Sequence, residues 1–138
     1  MKMYRNLVLT LTFIVPLSIF CQNKPYDIYD SFIGEFCMYS SDKKMKEDIL
    51  QIIKKEDTFY CKIKKSSDSS FYELTKISLD YFKSNFHKSL PNNTLILSDN
   101  KDLYVYYTSN KDKINQSQLE ANYFIMTVVG PIDIYKKD

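Results

Sequence analysis

The sequence predicts a mainly β protein, a small antiparallel meander or barrel with one helix around residues 71–90, and three observations support that fold class. Between residues 58 and 64, Phe59, Cys61 and Ile63 alternate with Tyr60, Lys62 and Lys64, the period-2 pattern of a half-buried strand. Apolar runs of strand length are divided by Lys55-Glu56-Asp57, Asp99-Asn100 and Gly130-Pro131, residues that turn a chain back on itself. Phe71, Leu74, Ile77, Tyr81 or Phe82, and Phe86 fall near helical spacing ahead of Leu90-Pro91, with Ser70 and Glu73 placed as a capping box.

In chain order, the first element is an address. Met1-Lys2-Met3-Tyr4-Arg5-Asn6 leads into the uncharged run from Leu7 to Phe20, and Cys21-Gln22-Asn23-Lys24 follows. A basic lead, an apolar stretch short for a bilayer and a polar exit make residues 1–21 a signal peptide. A lipoprotein site wants a small residue before its cysteine and Leu three before, where this chain has Phe20 and Ser18. Signal peptidase needs compact side chains one and three residues before the cut, which Cys21 and Ile19 loosely supply. The expected product starts at Gln22 and is exported in soluble form. Lipid anchoring through Cys21 and an uncleaved signal-anchor are the alternatives.

Residues 22–30 read as an N-terminal tether and 31–138 as a single globular domain, a length suited to one core. Ser31 to Tyr39 is an apolar strand in which Gly34 permits a bulge or close approach. Ile49 to Lys54 and Thr58 to Lys64 form a first hairpin, Thr94 to Ser98 and Asp102 to Thr108 a second, Tyr123 to Val129 and Ile132 to Tyr135 a third. Met45, Ile49, Ile52 and Ile53 also fit a helix capped by Asp42, so residues 43–55 stay open between helix and strand. With that segment helical, the fold becomes α+β, with two or three helices on an antiparallel sheet.

Charge excludes one class of partner. Lys2 and Arg5 leave with the signal, so 19 basic residues become 17 against 17 acidic ones, and the exported chain is neutral. Arg5 is the sole arginine, so the exported chain lacks the bidentate fork that reads phosphate. Nucleic acid is therefore not an expected partner, and a membrane is expected only through a lipid at Cys21.

The chemistry of the remaining residues is spare. His87 is the single histidine, and a surface position is its expected role; there is no zinc-binding pair, no Gly-x-Ser-x-Gly and no phosphate loop among two glycines. No catalytic residue, metal site or cofactor is expected, and the chain is not read as an enzyme. Asp99 and Asp102 flank a turn and lack the ligand set of a calcium loop. Asn92-Asn93-Thr94 and Asn115-Gln116-Ser117 match a glycan acceptor by chance in a bacterial reading. Cys37 and Cys61, 24 residues apart in expected strands, either join in an oxidising compartment, worth about 3 kcal/mol, or remain two buried thiols. In the strand from Asp102 to Thr108, Leu103, Val105 and Tyr107 face the core while Tyr104 and Tyr106 face out. That outward pair is a candidate partner-contact surface, the alternative being ordinary half-buried strand tyrosines.

Phe32-Ile33-Gly34-Glu35-Phe36, Ile52-Ile53 before Thr58-Phe59-Tyr60, Leu103-Tyr104-Val105-Tyr106 and Ile134-Tyr135-Lys136-Lys137 together resemble the spacing of small exported lipocalin-like β-barrel proteins of Gram-negative bacteria. Those proteins typically carry Gly-x-Trp in the first strand, where this chain has Gly34-Glu35-Phe36 and no tryptophan. The resemblance implies a barrel or meander in the periplasm or cell envelope of a Gram-negative bacterium that binds a small apolar ligand or a protein partner without catalysis. A periplasmic immunity or inhibitor protein that neutralises a toxin or hydrolase is the alternative, and an enzyme built on His87 the third class. The signal reading predicts that the protein recovered from its host's envelope has the intact denatured mass of residues 22–138. A fatty-acyl increment on a chain starting at Cys21 is the result that overturns it.

Overall fold

The computed structural model describes residues 24–40, 42, 44–64, 66–86, 90–109, 113–114 and 117–138. A turn of 3-10 helix, Ile28–Phe32, precedes β1 (Gly34–Tyr39), β2 (Lys46–Lys55), β3 (Thr58–Ile63), β4 (Tyr72–Ile77), α1 (Leu79–Phe86), β5 (Leu95–Ser98) and β6 (Tyr104–Tyr107). A two-stranded ribbon, β7 (Lys113–Ile114) and β8 (Ser117–Gln118), then leads to β9 (Tyr123–Thr127) and β10 (Gly130–Lys136). Eight strands close into one antiparallel barrel in the order β1-β2-β3-β4-β5-β6-β9-β10, and β10 returns to β1. The mainly β barrel with one helix is thus the fold that the alternation predicts.

Two segments resolve differently from their helical spacing. Residues 46–55 are strand, pairing with β1 on one side and β3 on the other, so the second helix is absent. Ile-rich positions suit that pleated surface, and Glu56, at a φ of +55°, turns the chain into β3. The helix expected around 71–90 is only Leu79–Phe86, because Tyr72–Ile77 is β4. Leu74 and Ile77 mimic a helical i,i+3 pair but lie on opposite faces of that strand, Leu74 in the cluster inside the barrel and Ile77 in the one outside it. Ser70 caps nothing helical. The cap is Ser78, whose Oγ accepts from the Tyr81 N–H at 3.1 Å and whose carbonyl accepts from Phe82 at 3.0 Å.

The barrel therefore has two apolar layers. Inside, Phe36, Leu50, Ile52, Phe59, Cys61, Leu74, Leu97, Val105 and Ile134 pack together from seven strands. Outside, α1 lays Phe82 over Ile96, Tyr106 and Phe124, with Leu90 and Leu119 completing the layer. Tyr106 stacks on Phe124 with ring centroids 4.7 Å apart and meets Phe82 edge-on at 5.8 Å. A helix face that covers a sheet in this way makes the outward residues of β5, β6 and β9 a second core.

One mouth is stoppered by the segment before β1. Part of the 22–30 region expected as a tether is folded: Asp27 caps the 3-10 turn, and Tyr29 packs on Phe32 and Phe59. Phe32 is fully buried between Tyr107 and Tyr123, and the Tyr123 hydroxyl donates to the Ser31 carbonyl at 2.8 Å. Gly34 follows at a φ of +150°, where a Cβ would stand 2.7 Å from Cε of Lys136. That glycine lets β1 pass close under the last strand. Phe32→Ala is expected to destabilise the protein by about 3–5 kcal/mol in urea unfolding, whereas Ile28→Ala, at an exposed neighbour in the same turn, shifts it by less than about 0.5 kcal/mol.

Candidate functional site

Strand register sorts the polar side chains onto two ends. Antiparallel pairing brings the 3-10 turn, the β2–β3 turn and the end of β4 to the stoppered end. The opposite end carries the loops after β1, β3 and β5 together with the β9–β10 turn.

The stoppered end is ringed by ion pairs. Lys54 Nζ lies 3.2 Å from Asp27 and 2.5 Å from Asp30, and Lys76 Nζ lies 2.7 Å from Asp27. Both ammonium groups also sit over aromatic rings, Lys54 5.0 Å from the centroid of Phe59 and Lys76 4.8 Å from that of Tyr29. The Lys76 hydrogen bond, against some desolvation and with help from the Tyr29 N–H and Lys54, holds the Asp27 carboxyl at about 2 rather than 3.8. A cleft of about 390 Å³ opens between Lys24, Asp27, Asp30, Lys54 and Asp57. Each of its three carboxylates is paired with a lysine, Asp57 with Lys24, Asp30 with Lys54, and Asp27 with Lys54 and Lys76, so the chemistry is that of a clamp holding Tyr29 and Phe32 in the mouth.

The loop end has the opposite character. Ile63, Tyr72 and Leu103, on or next to the barrel strands, line a groove of about 280 Å³ with Asp99 and Asp102 at its edge. Below it Cys61 is fully buried, and burial, then the charge of Asp99, pushes its thiol up to about 12. One carboxylate oxygen of Asp99 accepts from the N–H groups of Lys101, Asp102 and Leu103 at 2.9, 3.1 and 3.0 Å, which fixes the loop. Asn100, at a φ of +58°, ties it to β4 through Thr75. The Ser70 hydroxyl, then the Tyr72 hydroxyl donating at 2.6 Å and the Ser70 N–H, hold the Asp68 carboxyl at about 2. Exposed apolar side chains stand on three of the four connections here: Met45; Ile63 and Phe71; Val128 and Val129.

The residues singled out from sequence are dispersed. Cys21 and His87 lie outside the described residues. Cys37 and Cys61 are both free and buried, and the disulfide is not formed. β2 runs between their strands, which puts them roughly 9.6 Å or more apart, against about 7 Å for a bridge; Cys37 Sγ points instead to the Tyr135 carbonyl at 3.6 Å. Tyr104 and Tyr106 do face out of the barrel, but α1 covers them, so the expected contact surface is a packed one. Tyr106 is buried and its hydroxyl pKa is raised by desolvation, then by Tyr104; Tyr104 is half-buried against Phe86. Asp99 and Asp102 form the turn expected of them; the mouth they border has no signal in the sequence, since it exists only once β4 and β5 bring β3 and β6 to the same end.

Among the described residues no three His, Cys, Asp or Glu side chains gather as metal ligands would. No protein-family model matches the chain, and no match was found among curated proteins or solved structures.

The clamp has a pH signature. Because the Asp27 carboxyl is held at about 2 in the folded chain against 3.8, its stabilisation is complete above about pH 4 and is lost as pH falls towards 2. Asp27→Asn is expected to lower stability at pH 7 by about 1–2 kcal/mol, allowing for solvent screening. The gap between variant and parent should close between about pH 4 and pH 2 in urea titrations, and a constant gap would assign the loss to the cap alone.

Proposed function

We propose that this is an exported, non-enzymatic binding protein that engages a protein partner from its outer surface, in the manner of an inhibitor or immunity protein. The observation that supports this most is the filled interior. Phe32, Phe36, Ile52, Phe59, Val105 and Ile134 are all at most 1% exposed within a closed barrel. An eight-stranded barrel is just wide enough to be filled by side chains or to hold one small ligand, and here the side chains occupy it. Clefts of about 390 and 280 Å³ lie at the stoppered end and at the loop end. That arrangement favours a macromolecular partner over the small apolar ligand that the lipocalin-like resemblance also allows.

The exposed apolar residues support the same reading. Val128 and Val129 form the tip of a hairpin with relative exposures of 104% and 87%, where turns ordinarily use small polar residues. Such side chains persist at a tip when something covers them part of the time.

A native mass spectrum of the protein taken from its own host's envelope should show a one-to-one complex with a second protein. A retained apolar small molecule, with no second chain, would return the assignment to a ligand carrier.

A further inference from the structure

We infer that the loop-end mouth is the docking point for a basic side chain of that protein partner, with the exposed apolar loops as the surrounding contact. The inference rests on the reading of an externally bound protein partner and says which face meets it and what chemistry it receives.

Charge complementarity carries the argument. At the stoppered end and along the β1–β10 seam Asp27, Asp30, Asp57, Glu35 and Asp48 each lie within ion-pair range of a lysine, and the exposed Glu56 of the β2–β3 turn is an exception among the described residues there. Asp99 and Asp102 have no lysine in range among the described residues, although Lys101 stands between them on the same loop. They border a groove whose walls are Ile63, Leu103 and the ring of Tyr72. The Tyr72 hydroxyl is committed to Asp68, which leaves its face for contact.

A groove with apolar walls, an aromatic face and two carboxylates that no lysine pairs among the described residues, Asp99 having one oxygen committed to its own loop, fits one kind of group: a cation on an aliphatic stem. Its volume, about 280 Å³, is ample for one arginine or lysine side chain. The source is a protein and not a free amine because Met45, Phe71, Val128 and Val129 stand exposed on the connections of the same end, an apolar surround that a partner chain can cover together with the mouth. A partner backbone would cover them, giving the buried anchor with an apolar surround that protein interfaces favour.

The test is an NMR titration of the 15N-labelled protein with the peptide acetyl-Leu-Arg-Leu-amide. Saturable shifts confined to residues 63, 72 and 99–103 are expected. Binding should weaken at least fivefold for the citrulline analogue, which keeps the shape without the charge, and at least fivefold for Asp102→Asn. No localised shift, equal binding of the citrulline peptide, or an unaffected Asp102→Asn overturns the inference. Equal binding by acetyl-arginine amide reassigns the mouth to free cations and overturns a protein source. Asp102 is exposed and its carboxylate makes no hydrogen bond or ion pair with another described residue, so the variant's unperturbed resonances elsewhere report intact folding. If Asp102→Asn still carries its protein partner undiminished in the native spectrum, this mouth is excluded while the externally bound partner stands. If wild type carries an apolar molecule in place of a protein, the underlying reading fails instead.

Discussion

A closed barrel of eight strands has to fill its own centre, and the way this chain does so constrains everything else about it. The strands contribute phenylalanine, isoleucine, leucine and valine side chains from their inner faces, but one mouth remains, and Phe32 with Tyr29 close it from outside the strand register. Those rings enter on a segment whose described main-chain hydrogen bonds are its own, from Asp30 to Asp27 and from Ile33 to Asp30. Side chains must therefore hold the stopper in place, and this explains why the ion pairs of Lys54 and Lys76 concentrate at that end. Asp27, Asp30 and Asp57 are thereby spent on the fold, whereas Asp99 and Asp102 at the far end have no lysine in range among the described residues.

The second apolar layer has a related origin. A sheet that is buried on both faces over part of its surface needs a cover, and α1 provides it for β5, β6 and β9. Tyr104 and Tyr106 belong to that layer and not to a binding surface. Tyrosine suits such a place because its ring packs while its hydroxyl can stay near the layer's margin.

Much of the barrel was legible in the sequence wherever a strand is buried on one face alone. Phe59, Cys61 and Ile63 alternate with polar neighbours, and the structure puts them on the inner face in register with β2. The reading failed where burial changes face along a strand. In β4, Leu74 goes inside and Ile77 outside, a three-residue interval that imitates a helix. It also failed for Cys37 and Cys61, since strand order and not spacing decides which cysteines are neighbours, and the intervening β2 is invisible in a count of 24 residues. The loop-end mouth was unreadable for the same reason: Asp99 announces a turn, but its approach to Ile63 and Tyr72 depends on β5 and β6 reaching β3 through β4.

The seam that completes the barrel joins Phe36 and Cys37 of β1 to Lys136 and Tyr135 of β10. These partners lie about as far apart in the chain as the domain allows, so the loop they close is the costliest in conformational entropy. A polypeptide that emerges with β1 first can build the meander from hairpin to hairpin, yet it carries an unpaired β1 edge throughout, because that edge's partner is made last. Until β10 arrives, the growing sheet is open and its edge is a template for the wrong strand. The stopper, the seam glycine and the Lys136 bond to the Ser31 carbonyl at 3.0 Å all meet at this junction. The pairing of β10 with β1 therefore removes the last open edge, and through Lys136 it also ties the stopper segment to the strand that closes the barrel.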